Sequence, residues 1–447
     1  MKFRGRLIWI CIPAVLALTF ALFFGPLLLL ERHSYDAPDR KKKVFISREA
    51  NRYVLYRNGQ PFTVKGASGN ALLEELHRAG GNTIRTYDTV GLGAVLDEAQ
   101  RNHIAVIAGL PIPYSDYLDD FYKDGRKVEA MYEAYKKMVA RYKGHPALLM
   151  WCLGNEPGMT WKPGYDAFYD AYNRMLEMIH AVDPDHPVTT TMPNLNIVQI
   201  MMIRRKIPAL DLISFNTFGK LERLNKQLDR FAWLWDGPFL IMEWGAYGPW
   251  ESETTAWQAP IENTSTKKAE QFLTMYRQQM PAKHPRFLGA LAFYWGQKQE
   301  VTPTWFSLFS ETGAASGAVE ALRNIWKAST PANDAPQLKY MLVDRKGARD
   351  NIMLMPASEA EAEFFMEDHN KSNIVTAQWQ IMKEDWYEDA RKKRPLTKLL
   401  DTIMPAGNNN RFSFKAPRAE GPYRIYVTVA DDRGHIATAN TPFYVVE

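Results

Sequence analysis

The tetrapeptide Gly154-Asn155-Glu156-Pro157 follows the apolar run Ala147-Leu148-Leu149-Met150-Trp151-Cys152-Leu153. A second apolar run, Phe239-Leu240-Ile241-Met242, delivers Glu243-Trp244-Gly245. Two carboxylates, 87 positions apart, thus stand at the C-terminal ends of two buried-strand patterns. Brought to one bond, such a pair can do acid/base and nucleophilic work together. A glycosidic bond requires it: one group protonates the leaving oxygen and the other stands on the opposite side of the sugar. Other chemistries are poorly provided for. The two cysteines, Cys11 and Cys152, cannot make a disulfide framework, no metal-ligand spacing occurs, and no Gly-rich loop cradles a phosphate. Neither a metal nor a cofactor is expected.

The surrounding pattern supplies elements that can position the pair. Asn58-Gly59 marks a hairpin turn leading into a strand at 62–66. Further strand patterns fall at 83–87, 104–109, 147–153, 187–191, 211–215, 238–242 and 289–294. Helical patterns lie between and after them, at 70–79, 92–101, 127–142, 164–182, 195–204, 220–231, 265–279 and 316–326. Eight strand–helix units in about 280 residues predict a (β/α)8 TIM barrel. Active sites of such barrels lie at the C-terminal ends of the strands. Glu156 then follows strand four and Glu243 ends strand seven, on separate walls of one mouth.

On these residues the sequence resembles the clan A retaining glycoside hydrolases, and is most similar to the catalytic barrel of glycoside hydrolase family 2. Val64-Lys65-Gly66, Gly81-Asn82-Thr83-Ile84-Arg85-Thr86-Tyr87 and Ile241-Met242-Glu243-Trp244-Gly245 agree with it. The Ile84-Arg85-Thr86-Tyr87 stretch also resembles β-1,3-glucanases and glucanosyltransferases of that clan. The resemblance implies that Glu156 is the general acid/base and Glu243 the nucleophile. It implies that Asn155 bonds the sugar 2-hydroxyl, that Arg85 holds Glu243 ionised, and that Trp295 floors the subsite of the attacked sugar. Tyr87 and Asn216 complete the candidate substrate-binding set. The carboxyl groups of Glu156 and Glu243 are expected about 5–5.5 Å apart, the retaining distance.

Two departures stand out. Family 2 enzymes carry a sugar-binding sandwich and an intermediate domain before the barrel, whereas here about twenty residues separate residue 43 from strand one. Many clan members place a tyrosine after strand six, where this chain reads Asn216-Thr217-Phe218; Tyr247 is a candidate substitute.

Taken singly, several of these residues have plainer explanations. Glu156 could be a charge at a helix N-terminus, and Glu243 or Arg85 a structural ion-pair partner. Trp295 and Tyr294 alternate on one strand, so one faces the barrel and the other the helices. Trp161, Trp250, Trp257 and Trp305 lie in loops over the mouth and serve either sugar stacking or packing. Asp183-Pro184-Asp185-His186-Pro187 reads as a helix stop before strand five rather than a metal site.

The remainder of the 447 residues frames this barrel, expected over 44–332. After three basic residues comes an uncharged run, 7–30, long enough to span a bilayer as a transmembrane anchor within 1–30. A polar juxtamembrane linker, 31–43, follows. Short alternating strands at 340–343, 361–366, 376–381, 423–429 and 443–446, with a central Trp379 and a late Tyr423, predict an immunoglobulin-like or PKD-like β-sandwich over 337–447. Lys383 to Lys398 reads as a charged insertion. The 55 basic and 50 acidic residues leave a net charge of +5 with no basic stripe, which argues against nucleic-acid binding. The expectation is a membrane-anchored retaining β-glycosidase acting on a polysaccharide, its barrel periplasmic or extracellular. A β-glucanosyltransferase using the same residues is the alternative. The competing class is a non-catalytic glycan-binding scaffold of a synthase or export complex.

Overall fold

The computed structural model describes residues 35–328, 335–370, 372–386, 397–405 and 410–447. The apolar run 7–30, expected to be a membrane anchor, lies outside the described residues, as does most of the charged insertion at 383–398. Among the described residues no helix is long and apolar enough to cross a membrane.

Strands β1 (Val44–Glu49), β2 (Arg52–Arg57) and β3 (Gln60–Phe62) form an antiparallel sheet. Asn58 and Gly59 turn β2 into β3 with φ of 49° and 74°, the left-handed pair that a two-residue hairpin demands. Val44, Ile46, Tyr53 and Leu55 of this sheet join Ala105, Ile107, Leu212 and Leu240 in one apolar cluster that closes the base of the barrel. Tyr35 belongs to it: it is 6% exposed, edge-on to Tyr53, and bonded through its hydroxyl to the Asp211 carbonyl. The expected juxtamembrane linker is therefore anchored on the barrel base by Tyr35, while most of residues 36–43 are exposed.

Eight parallel strands close the barrel: β4 (Val64–Gly69), β5 (Thr83–Arg85), β6 (Ala105–Leu110), β7 (Leu148–Leu153), β8 (Val188–Pro193), β9 (Leu212–Asn216), β10 (Phe239–Trp244) and β11 (Phe287–Trp295). They pair in sequence, with β11 returning to β4. The near-continuous apolar composition of β6, β7 and β11 fits strands buried on both faces, while β4, β5 and β8 bury polar residues as well. Helices Leu73–Ala79, Leu92–Arg101, Gly125–Tyr142, Asp166–Val182, Ile197–Lys206, Leu221–Arg230, Ser265–Gln278 and Gly317–Lys327 follow the strands in turn. Local sequence explains their limits. Asn196 and Thr264 cap the fifth and seventh helices by accepting from the Gln199 and Lys267 amides. The sixth buries Leu221, Leu224 and Leu228, one stripe at helical spacing. Asp183, 1% exposed, stops the fourth helix; it accepts from Trp151 Nε1 at 2.8 Å and lies 2.9 Å from His186 Nδ1.

Beyond β12 (Ala315–Ser316) come β13 (Leu338–Val343), β14 (Met353–Leu354), β15 (Glu359–Met366), β16 (Ile374–Lys383), β17 (Lys398–Pro405), β18 (Arg411–Lys415), β19 (Gly421–Asp431) and β20 (His435–Val445). They make two sheets, β12-β20-β19-β16-β17 with β14 against β20, and β13-β15-β18. A shared core holds Trp379, stacked on Phe412 at 5.3 Å. Tyr423 bonds back to the Ala419 carbonyl at 2.8 Å, as the late tyrosine of such sandwiches does. Three of these strands, β14, β17 and β18, escaped the sequence reading, β14 being only two residues long. β17 is largely exposed and does not alternate, and β18 has only five residues.

Candidate active site

The turn after β7 sets Glu156. Gly154 has φ 82°, and a Cβ there would meet the Ile112 side chain at 2.9 Å. Glu156 itself has φ 50°, a left-handed conformation that costs a non-glycine residue about 1–2 kcal/mol. The turn holds because its groups are bonded. The Glu156 amide donates to Thr191 Oγ1 at 2.9 Å, and Asn216 Nδ2 donates to Glu156 Oε1 at 2.7 Å. Asn155 Oδ1 accepts from three donors: Arg85 Nη2 at 2.7 Å, Thr191 Oγ1 at 3.0 Å and Asn216 Nδ2 at 3.1 Å. Three donors on Oδ1 fix the orientation of the amide.

Glu243 reaches the mouth by an irregularity in β10. Leu240 and Met242 belong to the interior cluster, so strict alternation would send Glu243 outward. The ladders of β10 with β9 and β11 shift register between Ile241 and the strand end. Glu243 therefore turns inward directly after Met242, and Trp244 turns out to pack on Phe272 and Tyr276. Such shifts re-aim side chains beside active sites. Glu243 Oε1 accepts from Arg85 Nη1 at 2.8 Å and from the Tyr87 hydroxyl at 2.8 Å. Arg85 is 1% exposed and its guanidinium lies 4.0 Å from the Tyr87 ring centroid.

Electrostatics separate the two carboxylates. Burial raises Glu243, while the Arg85 charge and the hydrogen bonds from Tyr87 and Arg85 oppose that rise. Burial also raises Glu156, and the charge of Glu243 raises it further, to about 7. On balance Glu243 is raised; of the two carboxylates it is the one with a cation on its oxygen, which favours its ionised form, while Glu156 is shifted toward holding its proton. Tyr87 is raised by burial and by Glu243, which keeps its hydroxyl a donor.

The structure thus brings Glu156, Glu243, Arg85, Asn155, Tyr87 and Asn216 into one connected network. Trp295 is not part of it. A register shift between Phe293 and Trp295 turns this indole out of the barrel, where it is fully buried against Phe309 and Trp326 and donates to the Leu72 carbonyl. Tyr294 faces the mouth instead, 6.2 Å from the Tyr87 ring. Trp305 is also packing: 3% exposed, it clusters with Phe218, Phe293 and Phe306. Trp257 packs on Tyr444 of the sandwich. Trp161 and Trp250 remain 58% and 63% exposed.

Three mouth residues were missed. Tyr114, 52% exposed, is raised by burial and then by both Glu156 and Glu243, which places it beside the pair. Lys298 sits 5.4–5.9 Å from the Tyr87, Phe293 and Tyr294 ring centroids and 3.2 Å from Glu300, whose charge raises both carboxylates. These residues lie in irregular loops, where no periodicity marks them.

Residues 82–296 match the family model for glycosyl hydrolases family 2, TIM barrel domain. The chain therefore carries a glycoside hydrolase barrel of the family 2 type. It is similar to mannan endo-1,4-beta-mannosidase F of Aspergillus clavatus, 25% identical over 202 residues, covering 34% of this chain and 44% of that protein. The chain thus spans less than half of that relative. Among solved structures it is similar to a beta-D-glucuronidase of Dictyoglomus thermophilum, at 20% identity and TM-score 0.48, covering 64% of this chain and 54% of that one. The endo-beta-1,4-mannanase of Thermotoga petrophila aligns at 13% identity and TM-score 0.39, over 87% and 99% of the two chains.

Proposed function

We propose that the protein is a retaining β-glycosidase that cleaves or remodels a β-linked polysaccharide. The observation that carries this reading is the asymmetry of the pair: Glu243 is held by Arg85 and Tyr87, whereas Glu156 has no cation on it and is pushed up to about 7 by burial and the charge of Glu243. One is ready to attack and the other to donate. With Oε1 engaged twice, Glu243 Oε2 is the attacking atom. It bonds the anomeric carbon as the bond to the leaving oxygen breaks, and Glu156 passes its proton to that oxygen. In the second step Glu156 takes a proton from water or a sugar hydroxyl, whose oxygen displaces Glu243. Asn155 Nδ2 is offered to a hydroxyl of the attacked sugar. The Aspergillus clavatus relative is named for a β-1,4-linked mannan, which supports a β-linked polymer as the substrate class.

The apolar run 7–30 supports a single-pass anchor, with the barrel in the periplasm or outside the cell near a glycan synthase or export complex. The exposed Trp250, edge-on to Phe218 at 5.6 Å, favours a second reading in which an acceptor sugar competes with water and the enzyme is a glucanosyltransferase.

The test is turnover of aryl β-glycosides and β-linked polysaccharides by wild type and by Glu243→Gln, with proton NMR of the first-formed anomer. A β product, lost in the variant, is expected. A first-formed α product would overturn retention. Equal turnover by the variant would overturn the role of Glu243. Glycan binding without turnover would favour the scaffold. Products longer than a defined starting oligosaccharide would establish transfer.

A further inference from the structure

Glu262 is a buried carboxylate that the proposed reaction does not use. It lies between β10 and the helix Ser265–Gln278, 7% exposed, and four donors from three segments meet on it. Oε1 accepts from Lys268 Nζ and from Thr304 Oγ1 at 2.8 Å. Oε2 accepts from Thr302 Oγ1 at 2.6 Å and from Asn440 Nδ2 at 2.7 Å. Burial alone would raise this carboxyl, but the charges of Lys268 and Arg424 and these hydrogen bonds hold it below its ordinary range. It is an anionic hub, permanently charged near neutrality.

Its partners connect two parts of the molecule. Asn440 belongs to β20 of the sandwich. Its Oδ1 accepts from Arg424 Nη1 at 2.7 Å, and the same guanidinium reaches the Pro260 carbonyl at 2.7 Å and pairs with Glu384. Arg424 is 0% exposed, so these groups exclude solvent from the joint. On the other side, Thr302 and Thr304 lie in the loop after β11. Thr302 exchanges backbone hydrogen bonds with Glu300, at 2.8 and 3.2 Å. That loop then gives β12, which adds to the sandwich beside β20.

We propose that the C-terminal sandwich is a working part of the catalytic mouth, and that Asn440 is a positioning residue that acts through Glu262 and Thr302 to set where Glu300 stands relative to Glu156 and Glu243. The proposal rests on the glycosidase reading for its kinetic readout. Glu300, one-third exposed and paired with Lys298 at 3.2 Å, adds negative charge beside Glu156 and Glu243, so a loop released from Glu262 lets that charge move further into solvent, where it is more strongly screened.

The test uses the full chain with Asn440→Leu, Glu300→Gln and the double variant. Two quantities are read: the basic limb of kcat/KM, and the titration of the Glu156 carboxyl by carbon-13 NMR, assigned with Glu156→Gln. Each single variant is expected to move the Glu156 midpoint down by roughly half a pH unit, the size of one partly screened charge. The corresponding loss of kcat/KM at pH 8 is about threefold. The double variant is expected to go no lower than Glu300→Gln alone. If Asn440→Leu lowers thermal stability and leaves the midpoint in place, or if the two shifts add, the proposal fails. Should Asn440→Leu not fold, Thr302→Val removes the next link and carries the same expectation. Wild-type inertness toward every β-glycoside would sink the glycosidase reading, while the NMR midpoint, which needs no turnover, would still decide this one.

Discussion

The Tyr87 hydroxyl stands 2.8 Å from Glu243 Oε1, on the same oxygen that Arg85 holds. The phenol comes from just beyond β5, two residues after the arginine. The position after strand six, where a tyrosine is expected from the resemblance, holds Phe218, 6% exposed and packed on Phe293 and Phe306. Tyr247, the other candidate, is 39% exposed and its carbonyl accepts from Trp305 Nε1. A hydroxyl is thus delivered to Glu243 from a different wall of the barrel.

Tyr87→Phe should keep the fold and slow the reaction. A hydrogen bond to a charged group is worth about 1.5–3 kcal/mol, or roughly tenfold to a hundredfold in rate. The loss should fall on kcat, with circular dichroism unchanged. A variant with wild-type kcat would remove Tyr87 from the mechanism.

The pH–rate profile should carry the mark of Glu156. A general acid must be protonated, so kcat/KM is expected to fall as pH rises through about 7. Glu156→Gln should abolish that limb and cost about 10²–10⁴-fold on substrates with poor leaving groups. Aryl glycosides with acidic phenols, which leave unaided, should suffer far less. Equal losses on both substrate classes would count against proton donation by this residue.

The same carboxyl should weaken the fold at high pH. Its folded value, about 7, lies above the ordinary 4.5, so its contribution is present below about 4.5 and lost as pH rises toward 7. Glu156→Gln should therefore raise the melting temperature at pH 8 and leave it unchanged at pH 4. The gain is at most about 3 kcal/mol, from a shift of some two and a half units. Thermal unfolding at the two pH values checks the sign.

What could be read from the chain, and what could not, divides along a physical line. The eight strand–helix units were legible because parallel strands buried on both faces are apolar runs, and helices such as Leu221–Arg230 repeat leucine at helical spacing. That Glu156 and Glu243 meet at one mouth was legible because each ends or closely follows an apolar strand run of the barrel. Trp295 was misplaced for the reason that Glu243 is well placed. Register shifts at the ends of β11 and β10 break the alternation on which facing arguments rest, and no single residue type announces them. Tyr114, Lys298 and Glu300 gather at the mouth only through long-range closure of the barrel. The hub at Glu262 depends on Asn440, 178 positions away.

Tyr35 sets the N-terminal boundary of the folded unit. Sequence alone would cut the chain after residue 43, at the end of the basic run. The structure argues for a cut after residue 34. Tyr35 fills the base cluster, its hydroxyl reaches the Asp211 carbonyl, and its own carbonyl accepts from the Arg48 amide at 2.9 Å. Lys43 offers its carbonyl to the Asn58 amide at 2.7 Å, which ties the hairpin turn to the start of β1. Removing a buried aromatic side chain costs about 3–5 kcal/mol, although the open base of a barrel allows some relaxation. A protein starting at residue 35 should be soluble, with full activity per molecule. One starting at residue 44 should fold with a clearly lower urea midpoint, or accumulate as aggregate. Both should carry the same active site, since Tyr35 lies at the opposite end of the barrel from Glu156 and Glu243. Equal urea midpoints for the two truncations would show that the Tyr35 contacts contribute nothing, and would return residues 35–43 to the role of a spacer.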